Sequence, residues 1–251
     1  MFVAASSECF PNLPLDVALE RLVDLEYTRV EIAIRESGCQ LKPSAVLADL
    51  DAAVLACRET HRLTPVAYFV DIAGEGPPYY EQFSACCKLA KATKVVAIGV
   101  PSAELGTPFN AEVERLREMV RIASLEGVVV GIKTEIGRIS QDPNTAGVLC
   151  NNVKGLGICL DPSHFVAGPH GEGSYDQILK YVCHVQLRDT SKTQLQVRVG
   201  QGAIEYGRLA TQLGRVHYTR ALSVNIVDLP GSEVDHSAEM RKMRLLLESL
   251  L

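Results

Sequence analysis

Apolar positions along the chain fall into two alternating regimes. In eight short runs, Phe2–Ser6, Arg29–Ile34, Thr64–Val70, Lys94–Val100, Val128–Thr134, Leu156–Leu160, Val182–Leu187 and Ala221–Val227, apolar residues cluster or alternate with small and polar ones, as strands require. Between the runs, apolar residues recur every three or four positions, as on one face of a helix. Pro14 opens the first such segment, whose stripe is Leu15, Ala18, Leu19, Leu22 and Leu25. Asn110 is placed to cap another, which carries Val113, Leu116, Val120 and Ala123 inward and stops at Gly127. The last runs from about Ser237 to the C-terminus, with Met240, Met243 and Leu247 on one side. The strand starts lie 26 to 39 residues apart, the size of one βα unit. Eight such units with right-handed crossovers predict an α/β fold of the (β/α)8 barrel kind, a single domain over residues 1–251. An open doubly wound sheet would bring a glycine-rich phosphate loop after the first strand, and Ser6-Ser7-Glu8-Cys9-Phe10-Pro11 is not one.

In a barrel, one parity of each strand faces the helices and is bulky, while the other fills the interior. In the fifth run Val128, Val130 and Ile132 face the helices, which leaves Val129, Gly131, Lys133 and Glu135 toward the axis. The same rule turns Gly157, Cys159 and Asp161 inward in the sixth, His184 and Gln186 in the seventh, Ser223 and Asn225 in the eighth, and Glu31 in the second. Glu31, Lys133, Glu135, Asp161, Gln186 and Asn225 therefore converge at the upper axis, the end where barrels carry their sites. Burying several ionisable groups is expensive unless they pair or hold a metal, and oxygen donors from four successive strands suit Mg²⁺, Mn²⁺ or Zn²⁺. His164, three residues beyond Asp161, either contacts a ligand or caps the next helix. His184, one layer deeper, is expected to support Gln186 as a satisfied core histidine. Glu31 either orients substrate or pairs with an interior cation such as Lys133. Arg138, Arg188 and Arg198 are loop candidates for binding a carboxylate or phosphate.

Composition narrows the partners. The chain is 47% hydrophobic, ample for a core, and a net charge of -5 leaves no basic footprint for nucleic acid. No apolar stretch approaches a membrane span and the N-terminus lacks a signal pattern, so a cytoplasmic protein is expected. Eight cysteines without CxxC spacing read as reduced, buried thiols. Homo-oligomerisation is left open.

The chain resembles the sugar phosphate isomerase/epimerase family, the xylose-isomerase-like TIM barrels, over essentially its whole length. The resemblance rests on Arg29-Val30-Glu31-Ile32-Ala33, Gly131-Ile132-Lys133-Thr134-Glu135, Leu160-Asp161-Pro162-Ser163-His164, His184-Val185-Gln186-Leu187-Arg188-Asp189 and the loop Gly200-Gln201-Gly202-Ala203-Ile204-Glu205-Tyr206. It implies a divalent ion held at Glu135, Asp161, Gln186 and Asn225, with Gln186 looking like the hydroxypyruvate isomerase branch. The family's strand-eight Glu, both a ligand and an acid/base group, is Asn225 here.

The resemblance implies a metal-dependent isomerase or epimerase of a small keto sugar or hydroxy-keto acid, moving a proton next to a carbonyl with Glu135, His164 and Lys133 as catalytic candidates. Glu31, His164, Arg138 and Arg198 are the candidate substrate contacts. With Asn225 in place of the second carboxylate, His164, Lys133, Asp189 or Glu205 would have to supply the second base. Two alternatives stand beside this reading: a metal-dependent lyase or dehydratase on the same scaffold, and a sugar-binding protein without catalysis. An abasic-site endonuclease of the same barrel type needs a histidine-rich zinc cluster, and the chain has six histidines in all.

Overall fold

The computed structural model describes residues 1–171, 173–227 and 235–251. Eight parallel strands close on themselves in sequence order: β1 (Phe2–Ser6), β2 (Arg29–Arg35), β3 (Thr64–Asp71), β4 (Ala97–Pro101), β5 (Val129–Lys133), β6 (Gly157–Leu160), β7 (Val182–Leu187) and β8 (Ala221–Val224). The seam pairs Phe2 with Ala221 and Ala5 with Val224, so the (β/α)8 barrel is complete. The bulky parity is buried between strands and helices: Val30, Ile32 and Ile34, then Val130 and Ile132, Ile158 and Leu160, Val185 and Leu187, Leu222 and Val224. Helix Leu15–Asp24 turns Ala18, Leu19 and Leu22 onto that layer, and helix His236–Glu248 contributes Met240, Met243 and Leu247.

Among the boundaries that differ from the pattern, three have a clear local reason. β4 begins at Ala97 rather than Lys94, because Lys94 takes a left-handed φ of 63° and the Val95 N–H still closes the preceding helix on Ala90 O. Helix Phe109–Leu125 starts after Pro108, so Asn110 lies within it and caps nothing. Its buried Glu112 instead accepts from Ala103 N–H at 3.0 Å and pairs with Arg115. β5 stops at Lys133, since the chain turns away through Ile136 and Gly137, whose φ is 83°.

The barrel floor explains its glycines. The register between β6 and β7 slips, pairing Ile158 with Val182 and Cys159 with His184, so Cys183 is the extra residue of a bulge. A Cβ on Gly131 would lie 2.5 Å from Cys183 Sγ, and one on Gly157 would lie 2.7 Å from it. The thiol therefore fills the floor that those two residues leave open. All eight cysteines are free, and Cys39 alone is exposed. No described helix is long and apolar enough to cross a membrane.

Candidate active site

The interior layers above the floor are polar, and each group is delivered by strand alternation. Ser6 and Glu31 are register partners on β1 and β2, and Ser6 Oγ donates to Glu31 Oε1 at 3.3 Å. The carboxylate also pairs with His184 Nε2 and accepts from Gln186 Nε2 at 2.5 Å. Glu31 thus answers to His184 and Gln186 rather than to a lysine, and His184 supports Gln186 only through the carboxylate they share. Burial alone would raise the Glu31 pKa. The charge and hydrogen bond of His184, the Gln186 amide and the charge of Lys133 outweigh it and hold the carboxyl below its ordinary value.

One layer higher, Asp161 follows β6 and is fully buried. Ser163 caps it through both N–H and Oγ, and Arg188 Nη2 lies 3.1 Å from Oδ2. Burial again pushes this carboxyl up, but Arg188, His164 and Lys133 together bring it below the usual aspartate value. Arg188, expected among the loop arginines, is instead buried directly after β7. It continues the inward alternation of His184 and Gln186 by one more step, and that signal was present in the sequence. Lys133, the last residue of β5, is 3% exposed and places Nζ 5.1 Å from the Phe69 ring centroid. No hydrogen bond or ion pair among the described residues engages its ammonium group.

His164 does more than start a turn. Ile136 N–H donates to its Nδ1 at 3.1 Å, so the neutral ring carries its proton on Nε2, which stands 3.6 Å from Asp161 Oδ2. Burial, with Lys133 and Arg188 added to it against the pull of Asp161, lowers its pKa to about 4. The ring is therefore a neutral donor near pH 7, and neither nitrogen is open as a base.

Asn225 follows β8 and still donates its backbone N–H to Leu187 O at 2.8 Å, which fixes its side chain inward. Its Nδ2 reaches Glu8 Oε2 at 3.5 Å, and Glu8 pairs with Arg35 at 2.6 Å. Arg35 lies over Phe69 and pairs with Asp71, so a rim network links β8 to β3 across the mouth. Beside that rim opens a cleft of about 660 Å³ whose lining includes Asp71, Tyr79, Ser102, Arg115 and Arg138. Among the described residues, Gln186 Oε1, Asn225 Oδ1 and Ser223 Oγ are buried without a hydrogen-bond partner. Each such group costs about 1–3 kcal/mol unless something meets it, so the arrangement suits a ligand rich in oxygen and hydroxyl groups.

The remaining predicted positions fall outside this cluster. Glu135 lies two residues beyond β5, with its side chain 30% exposed and Arg138 Nε 3.9 Å away. The inward place at the end of β5 belongs to Lys133, whereas Glu135 was expected there as the strand-five ligand. Arg138 donates to Ser102 O and lines the cleft. Arg198 is exposed on a loop. Asp189 is buried as a loop anchor, accepting from the N–H groups of Thr190, Gly200 and Gly202, and a Cβ on Gly202 would sit 1.9 Å from its Oδ1. Glu205 is a surface partner of Arg208. Neither offers a second base at the axis.

These positions decide whether a divalent ion fits. The four strand ends present an ammonium, one carboxylate and two amides, in Lys133, Asp161, Gln186 and Asn225. Arg188 already neutralises the carboxylate. Among the described residues, no group of three or more His, Cys, Asp or Glu side chains could hold a metal. The donor set does not fit the ion that the resemblance implies.

The fold recurs in solved structures of low identity. IolI protein with a binding zinc atom aligns with a TM-score of 0.75 and 18% identity, over 100% of this chain and 99% of that one. L-ribulose 3-epimerase aligns with a TM-score of 0.74 and 15% identity, over 100% and 96%. The probable 3-DHS dehydratase AsbF from Bacillus anthracis gives 0.75 and 11%, over 99% of each chain. At these identities the likeness establishes the fold. No curated protein matches the chain in sequence. The sequence pattern of the xylose isomerase-like TIM barrels matches residues 19–246, and the chain belongs to that family.

Proposed function

We propose that the protein is an isomerase or epimerase of a small hydroxy-carbonyl compound, a keto sugar or hydroxy-keto acid, acting by proton transfer next to the carbonyl. One observation carries the reading: at the ends of β7 and β8, Gln186 Oε1 and Asn225 Oδ1 are buried without a hydrogen-bond partner among the described residues, while Lys133 at the end of β5 and His164 beyond β6 are buried donors. A carbonyl oxygen that gains negative charge during enolisation would be met by the Lys133 ammonium and the His164 N–H, which strengthens both contacts in the transition state. Gln186 and Asn225 would accept from the ligand's hydroxyl groups. Glu31 and Asp161 are committed to His184 and Arg188, so they orient the site rather than move protons. Glu135, two residues beyond β5 with Arg138 3.9 Å away, is the carboxylate we assign to take and return the proton. The likeness to a structure described as an epimerase supports this class.

Asn225 favours a second reading, a dehydratase or lyase, because elimination needs one base where epimerisation commonly uses two. Incubation with hydroxypyruvate, dihydroxyacetone, L-ribulose and D-fructose in D₂O, followed by NMR, separates these outcomes. Deuterium at the carbon next to the carbonyl supports isomerase chemistry. Loss of water supports the second reading, and saturable binding with neither change would leave a sugar-binding protein.

A further inference from the structure

We infer that the barrel centre is a metal-independent site, in which the Lys133 ammonium, seconded by the Arg188 guanidinium, occupies the place a divalent cation would take. The inference concerns the same cluster as the proposed function but does not depend on catalysis there. Lys133 ends β5, pairs in register with Cys159 of β6, and is buried against Phe69, so its charge enters at the axis.

The donors on offer point the same way. Asp161 is the only carboxylate among the four strand-end side chains, and Arg188 and Ser163 already occupy its oxygens. Gln186 and Asn225 hold their NH₂ groups toward Glu31 and Glu8, which turns neutral carbonyl oxygens to the centre. The two buried anions, Glu31 and Asp161, already have partners in His184 and Arg188, and the buried Lys133 ammonium adds a further positive charge. A divalent ion added to that balance would meet repulsion from both cations, and two amide oxygens are weak compensation. An ammonium group offers the same help to a developing oxyanion as an electrostatic partner, with hydrogen-bond donors of its own.

The test is calorimetric titration of the EDTA-treated, dialysed full chain with MnCl₂ and with ZnCl₂. Wild type should show no site that Asp161→Asn removes. The double variant Lys133→Glu with Asn225→Glu, checked for folding by circular dichroism, should gain one Mn²⁺ site on the order of 100-fold tighter than wild type or Asn225→Glu alone. A stoichiometric wild-type site lost in Asp161→Asn would overturn the inference, as would a folded double variant that gains nothing. Should the double variant fail to fold, Lys133→Met takes its place, with an expected gain of about tenfold in Mn²⁺ affinity and an unchanged affinity counting against the inference. A proton-transfer activity that is absent altogether would sink the proposed function and leave these titrations intact.

Discussion

Arg188 Nη2 lies 3.1 Å from Asp161 Oδ2, with both side chains buried, so the carboxylate at the end of β6 carries its counter-ion within the chain. Breaking a buried pair leaves an uncompensated charge, and Arg188→Ala should therefore destabilise the fold by about 3–5 kcal/mol. Chemical denaturation measures it. A loss below about 1 kcal/mol would show that the pair is solvated as a surface pair is.

His164 gives the stability a defined pH dependence. Its folded pKa is lowered to about 4, whereas in the unfolded chain it titrates near an ordinary histidine's 6.5. Between those values the unfolded state binds the extra proton, so stability rises with pH from about 4 to 6.5 and falls by about 3 kcal/mol on acidification across that window. Below it, Asp161 and Glu31, whose folded pKa values are depressed, lose their contributions as they protonate, in the same direction. His164→Gln should flatten the upper part of the profile, and an unchanged slope would locate the titration elsewhere.

The floor supplies a packing test. Gly131→Ala forces a methyl group 2.5 Å from Cys183 Sγ and 2.9 Å from Cys159 N, an overpacking expected to cost about 1–3 kcal/mol. Cys183→Ala in the same chain should recover only part of it, since the backbone contact remains. Full recovery in thermal melts would mean that the thiol alone sets the limit.

Much of this architecture was legible in the sequence, and the reason is alternation. A strand buried on both faces still separates bulky from small residues, and that separation marks all eight strands and turns Lys133, Asp161, Gln186 and Asn225 inward. What alternation does not encode is where a strand stops. Extending β5 by two residues put Glu135 on the axis, while the chain in fact turns at Gly137 and leaves Lys133 as the inward end. The opposite error hid Arg188, which holds the parity of β7 one residue past its last ladder bond. Asp189 and Asn110 show a further limit: what a buried carboxylate anchors, or whether a helix is held by its cap or by Glu112, depends on contacts distant in sequence.

The balance of charges at the centre separates stability from function at Lys133. With no hydrogen bond to its ammonium among the described residues, Lys133→Met should change stability by less than about 1.5 kcal/mol, as a volume-conserving exchange does. The same change should lower the turnover of the hydroxy-carbonyl substrate by at least about 100-fold, as loss of one oxyanion donor does. Equal losses of stability and turnover would make the lysine structural.

Proton transfer at this barrel's mouth, as proposed, draws on the chain's own cations, and solvent-deuterium exchange reads that out. EDTA-treated wild type should incorporate deuterium next to the carbonyl of its substrate at a rate that added Mn²⁺ or Zn²⁺ does not raise, and Lys133→Met should abolish that incorporation. Exchange that appears only with added divalent ion, or that persists in Lys133→Met, would show that the chemistry does not depend on these cations.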